Sequence, residues 1–190
     1  GVRDRHREAR RRVLAAVDPA VDVVQAEILK DPRNVTLARK KQLFDSYNEI
    51  MLGVEGVTST NIVYWDGWKR TAFASSEGSY IEQERLDVGT RLAATAKRNG
   101  DMQQSSMSLG ALNDFSYIET LDDAALLIGT RAVELLNAPY AEPGVYPVVL
   151  DPVLAGVFCH EAFGHLSESD FVYENDRMKE IMVLGKKFGR

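Results

Sequence analysis

The spacing of apolar and polar residues along this chain changes twice, and the changes mark a helical stretch, a sheet and a second helical stretch. In "NVTLARKKQLFDSYNEIML" the positions Leu37, Lys41, Phe44, Tyr47 and Met51 fall near one helical face. Asn34 reads as the N-cap of that helix and Gly53 as its stop. Upstream, Pro19 opens "PAVDVVQAEILK", read as a shorter helix closed by "DPRN". The Arg-rich start, "RDRHREARRRVLAAV", reads as a solvated helix.

From Val57 the period falls to two. "VTSTNIVYWDGWKRTAFASSEGSYIEQER" alternates apolar with polar residues and is rich in β-branched and aromatic types. Asp66-Gly67, Glu77-Gly78 and Asn99-Gly100 each carry the residue chemistry of a tight turn, so an antiparallel meander of about four strands is predicted. Trp65 and Trp68 flank the first of these turns and are expected to form a cross-strand pair.

Helical spacing returns at "LDDAALLIGTRAVELLNA", preceded by a capping-box-like Thr120 and Asp123 and stopped by Pro139. "VYPVVLDP" then reads as a short apolar strand. Asp151 and Pro152 follow as N-cap and first residue of another helix, which turns Val153, Leu154, Val157 and Phe158 inward. The fold class is therefore α+β: N-terminal helices over residues 1–53, an antiparallel sheet over 54–118, and a helix-strand-helix segment over 119–190.

Composition narrows the function classes. With 45% hydrophobic and 27% charged residues the chain can bury a core. A net charge of -5 disfavours nucleic acid as a partner. The single cysteine, Cys159, excludes a disulfide within the chain and points to a reducing, cytoplasmic setting. No apolar run approaches the ~18 residues that cross a bilayer, so no membrane partner is expected. The chain opens at Gly1 and stops within "VLGKKFGR", read as part of a charged amphipathic helix, so it is expected to be the N-terminal portion of a longer protein.

The chemistry concentrates in "FCHEAFGHLSE". Two of the chain's three histidines, His160 and His165, lie in one six-residue window, and Glu161 follows the first. In the H-E-x-x-H helix of zinc hydrolases the histidines are four apart and about 40° around the axis, so both reach one ion. Here they are five apart, which in a regular α-helix separates them by about 140°. A π-bulge would absorb the extra residue; unwinding at Gly164 is the other remedy. With either, neutral imidazoles of His160 and His165 can hold a Zn2+ ion, and Glu161 can act as general base on a water that attacks an amide. Catalytic zinc ordinarily takes three protein ligands. Cys159 points about 100° away from its helical neighbour and reads as a small buried hydrophobe. Glu168 can be a ligand, an orienting carboxylate or a solvated side chain.

"DPVLAGVFCHEAFGHLSESDFVYEN", together with the preceding "GTRAVELLNAPYAEPGVYPVVLDP", resembles the metal-site region of the TldD/PmbA family, also known as modulators of DNA gyrase. The resemblance is specific over about residues 120–185; "GSYIEQER" fits more loosely. It implies a zinc-dependent metallopeptidase of the TldD type, with His160 and His165 as zinc ligands and Glu161 as the catalytic glutamate. It further implies a third ligand, a cysteine in a C-terminal domain that this chain lacks. Unstructured peptides are the implied substrate, bound as an added β-strand, and the implied assembly is a homodimer or a heterodimer with a PmbA-like subunit. The competing reading is a non-catalytic binding or assembly module whose motif helix is structural and whose Arg-rich start engages a partner.

Overall fold

The computed structural model describes residues 18–187. The Arg-rich start expected to be helical lies outside the described residues. The fold is α+β, in two compact units that divide between Pro139 and Tyr140.

The first unit is a sheet with helices on one face. Its strands are β1 (Val21–Val24), β2 (Val57–Ala74), β3 (Tyr80–Arg98) and β4 (Asp101–Leu112). β3 is central: β2 pairs antiparallel along one edge, while the other edge takes β4 antiparallel and β1 parallel. β1 lies where a helix was expected. Val21, Val23 and Val24 are β-branched and stiff at χ1, and the register Val21↔Tyr80 to Val24↔Gln83 supplies the partner that a lone segment lacks.

The turns separate signal from context. Asn99 (φ 52°) and Gly100 (φ 95°) form the two-residue loop between β3 and β4, the positive-φ pair a tight hairpin requires. The β2–β3 connection turns at Gly78 (φ 98°). No turn forms at Asp66-Gly67. β2 runs straight through it, because β3 supplies partners on both sides, Asp66↔Val88 and Gly67↔Asp87. Trp65 and Trp68 therefore share one strand and point to opposite faces rather than pairing across a hairpin. The Trp65 ring lies over Gly89, where a Cβ would come within 2.2 Å of it. Trp68 donates Nε1–H to Glu84 at 2.7 Å, and the Arg33 guanidinium stands 5.3 Å from its ring centroid.

α1 (Leu37–Leu52) and α2 (Asp122–Asn137) cover the inner face. Thr36, not Asn34, caps α1, its Oγ1 accepting from Arg39 N at 3.2 Å. The buried seam of α1 is Leu43, Tyr47 and Met51, while Leu37 and Lys41 stay exposed. These meet Val88, Leu92, Phe115, Ile118 and Ile128 in one core. The Tyr47 hydroxyl donates to Ile118 O at 2.7 Å and accepts from Leu121 N at 3.2 Å, tying α1 to the 3₁₀ segment Phe115–Thr120 before α2. Thr120 donates to Tyr117 O and forms no capping box; α2 starts without a side-chain cap. Beside the core, Lys40 Nζ donates to Asp66 Oδ2 at 2.7 Å and sits 5.0 Å from the Tyr64 ring centroid. Burial pushes the Asp66 carboxyl up, but the polar interactions with Lys40 and Tyr64 outweigh it and leave Asp66 below its ordinary value. The buried Tyr64 hydroxyl has no partner of hydrogen-bond geometry among the described residues.

The second unit carries the motif. "VYPVVL" is not a strand, because no described segment pairs with it, and Val145 and Val149 are exposed. α3 (Pro152–Cys159) starts as its sequence dictates: Asp151 Oδ1 accepts from Leu154 N at 2.7 Å, and Pro152 takes the first turn. Val153, Leu154, Val157 and Phe158 were expected to face inward but are exposed, since nothing among the described residues covers that stripe. Short helices α4 (Ser169–Glu174) and α5 (Asp176–Ile181) follow. The helix expected in "VLGKKFGR" does not form over its described part, since α5 ends at Ile181 and Gly185 stands at φ 82°; residues 188–190 lie outside the described residues.

Candidate metal centre

His160, Glu161 and His165 come together because the helix changes its winding. α3 is regular to Cys159; His160–Gly164 then form one π-helical turn, in which His165 N–H donates to the carbonyl of His160. The wider turn takes in the extra residue of H-E-x-x-x-H, and a 3₁₀ turn over His165–Ser167 tightens the chain again. Gly164 itself has helical angles (φ -56°, ψ -57°), so the chain does not unwind there. A Cβ at that position would stand 3.6 Å from His160 Nδ1, an ordinary contact.

The two imidazoles end up side by side, ring centroids 4.4 Å apart and planes at 71°. One donor atom each from His160, Glu161 and His165 lie within 4.8 Å of one another. His160 and Glu161 are exposed and His165 is half-buried. His165 has carboxylates on both sides: Nδ1 is 2.6 Å from Glu168 Oε1, and Nε2 is 3.8 Å from Glu161 Oε2. The hydrogen bond with Glu168, foremost, and the charges of both glutamates raise the His165 pKa above its ordinary value. Cys159 is exposed rather than buried, and is not one of this trio. Sequence reasoning had left Glu168 with three possible roles; its approach to His165 depends on the 3₁₀ turn, which spacing alone does not reveal.

The donor set suits a zinc-like ion. Two imidazole nitrogens on one tetrahedral zinc are roughly 3.3 Å apart, so small rotations of χ1 and χ2 would bring these donors to a common centre. Two imidazoles are ligand types zinc takes in hydrolases, and the Glu161 carboxylate beside them is of the kind that serves there as base.

A family model described as the PmbA/TldA metallopeptidase central domain matches residues 30–138, which hold β2, β3 and β4 with α1 and α2. A metalloprotease of Synechocystis sp. is 40% identical over 179 residues, covering 93% of this chain and 39% of that protein. A metalloprotease of Methanothermobacter thermautotrophicus is 34% identical over 171 residues, covering 89% of this chain and 37% of that protein. A zinc metalloprotease TldD homolog of Saccharolobus solfataricus is 29% identical over 117 residues, 60% of this chain and 26% of that protein. The chain thus spans well under half the length of the curated relatives it matches.

Proposed function

Because this chain belongs to the PmbA/TldD metallopeptidase family, we propose that it contributes the zinc-binding helix of a peptidase, with His160 and His165 holding the ion and Glu161 as general base. The observation that carries this reading is the convergence of three donors within 4.8 Å through a π-helical turn. A π turn interrupts an otherwise regular helix at a cost, and such turns concentrate at functional sites. The zinc named for the Saccharolobus solfataricus relative supports the choice of ion.

When bound, zinc supplies Lewis acidity that acidifies a water and polarises the scissile carbonyl. This chain's residues do the rest. The neutral imidazoles of His160 and His165 fix the ion's position; Glu161, next to the first of them, takes a proton from the attacking water and delivers it to the leaving nitrogen. The C–N bond breaks, the water oxygen stays on the acyl carbon, and one carboxylic acid and one amine result. A further ligand, a cysteine outside this chain, would complete the coordination.

Unstructured peptides are the proposed substrate. The outer edge of β2, Val57–Ala74, has no strand partner among the described residues, and an edge of that length can accept an extended peptide through backbone hydrogen bonds. The proposed assembly is a dimer, with a second copy or with a PmbA-like subunit.

Glu161→Gln tests the mechanism. Its amide cannot take a proton, so zinc content should stay at the wild-type level while cleavage of an unstructured peptide falls at least about a hundredfold. Cleavage at the wild-type rate would refute the role given to Glu161.

A further inference from the structure

His165 has two ring nitrogens, and the structure gives each a different neighbour. Nδ1 meets Glu168 Oε1 at 2.6 Å, a hydrogen bond slightly shorter than the roughly 2.7–2.9 Å usual for a charge-assisted N–H···O contact. Nε2 faces Glu161, 3.8 Å from Oε2. We infer that Glu168 is a positioning residue for the metal centre: it holds the proton on His165 Nδ1 and so leaves Nε2 as the metal donor. This inference rests on the zinc reading of His160 and His165.

Backbone geometry explains why Glu168 can do this. A 3₁₀ turn has 3.0 residues per turn, so side chains at i and i+3 lie one above the other. His165–Ser167 form such a turn, closed by Glu168 N–H to the His165 carbonyl at 3.2 Å and buttressed by the Ser167 hydroxyl donating to Gly164 O at 2.8 Å. The Glu168 carboxylate is thereby set beside the His165 ring.

The alternative use of that carboxylate is not taken. Glu168 stands at the N-cap of α4, where a side-chain oxygen ordinarily accepts from the first turn, yet it makes no capping bond. Its carboxylate is committed to the imidazole. A carboxylate behind a ligating histidine fixes the tautomer, orients the ring and strengthens the nitrogen as a donor, and its loss typically weakens metal binding tenfold to a hundredfold.

The test uses the chain labelled with ¹⁵N at histidine, of which it has only three. Long-range ¹H–¹⁵N spectra at mildly alkaline pH report which ring nitrogen carries the proton, and competition with a chromophoric chelator reports zinc affinity. In the wild type, His165 should be protonated at Nδ1, and added zinc should shift the Nε2 resonance. Glu168→Gln keeps an oxygen that accepts the same hydrogen bond, so it should retain the tautomer and lose less than about tenfold in affinity. Glu168→Ala should release the Nδ1 proton preference and weaken zinc binding by about tenfold to a hundredfold. An unchanged tautomer and unchanged affinity in Glu168→Ala would overturn the inference. Equal losses of zinc in Glu168→Gln and Glu168→Ala would overturn it too, since the carboxylate would then be a ligand itself. His165→Ala separates the two levels: if that variant binds zinc as the wild type does, the metal reading of the motif fails regardless of Glu168.

Discussion

His160 and His165, five residues apart, face each other across a π-helical turn with ring centroids 4.4 Å apart. A regular helix would splay them by about 140°. The site is thus made by a change of winding just after α3, and what preserves that winding should preserve the site.

Gly164 is the first place to test this. Its angles are helical, and a Cβ there would meet His160 Nδ1 at an ordinary 3.6 Å. Gly164→Ala should therefore leave zinc affinity within a few-fold of the wild type and add slightly to helix stability. Gly164→Leu should crowd the His160 ring and weaken zinc binding by about tenfold or more. Isothermal titration with zinc distinguishes the two variants; equal affinities would show that the ring is not confined from this side.

Trp65 and Gly89 make a second testable pair. A methyl group at position 89 would come within 2.2 Å of the indole, so Gly89→Ala should destabilise the sheet by about 1–3 kcal/mol in urea unfolding. Adding Trp65→Ala should recover part of that loss, because the clash is with this one ring. Strict additivity of the two substitutions would contradict the packing described.

Much of the architecture is legible in the sequence, and the larger misses share a cause. Asn99-Gly100 turns as its chemistry demands, and Asp151-Pro152 starts α3 through local contacts alone. Asp66-Gly67 carries the same kind of turn signal, yet β3 pairs along both sides of it and the strand continues. Val21–Val24 became a strand only because Tyr80–Gln83 is there to receive it. Both of these readings failed on a partner distant in sequence, whereas the caps read at Asn34 and Thr120 failed within a few residues of their own position. The candidate site divides in the same way: the need for a distorted helix follows from the His160–His165 spacing, whereas the Glu168 contact follows from a 3₁₀ turn that no pattern announced. The family model falls on β2–β4 and the two helices over them, residues 30–138, where the resemblance is looser than around the motif.

Tyr47 should be costly to change. Its buried hydroxyl both donates to Ile118 O and accepts from Leu121 N, so Tyr47→Phe leaves two backbone groups without a partner. A loss of about 1–3 kcal/mol in chemical denaturation is expected. A variant as stable as the wild type would mean that water or a shifted backbone satisfies them.

The Lys40–Asp66 pair predicts a pH dependence. Asp66 is held below its ordinary value in the folded state, so its stabilisation is fully present above the unfolded carboxylate pKa of about 3.9 and is lost as pH falls through the lower folded value. Lys40→Met removes the partner from a partly buried carboxylate and should cost about 1–3 kcal/mol at pH 7. The difference from the wild type should shrink as the solution is acidified into the range where Asp66 is protonated in both proteins. A gap that stays constant from pH 7 down to about 3 would place the effect elsewhere.

The central claim is that two imidazoles on one deformed helix hold a single divalent ion. Elemental analysis of the purified protein tests it most directly, comparing the wild type with the His160→Ala, His165→Ala double variant. With the outside cysteine present as the further ligand, about one zinc per chain is expected in the first and none above background in the second, with the sheet unit still folded. Zinc retained in full after both imidazoles are removed would contradict it.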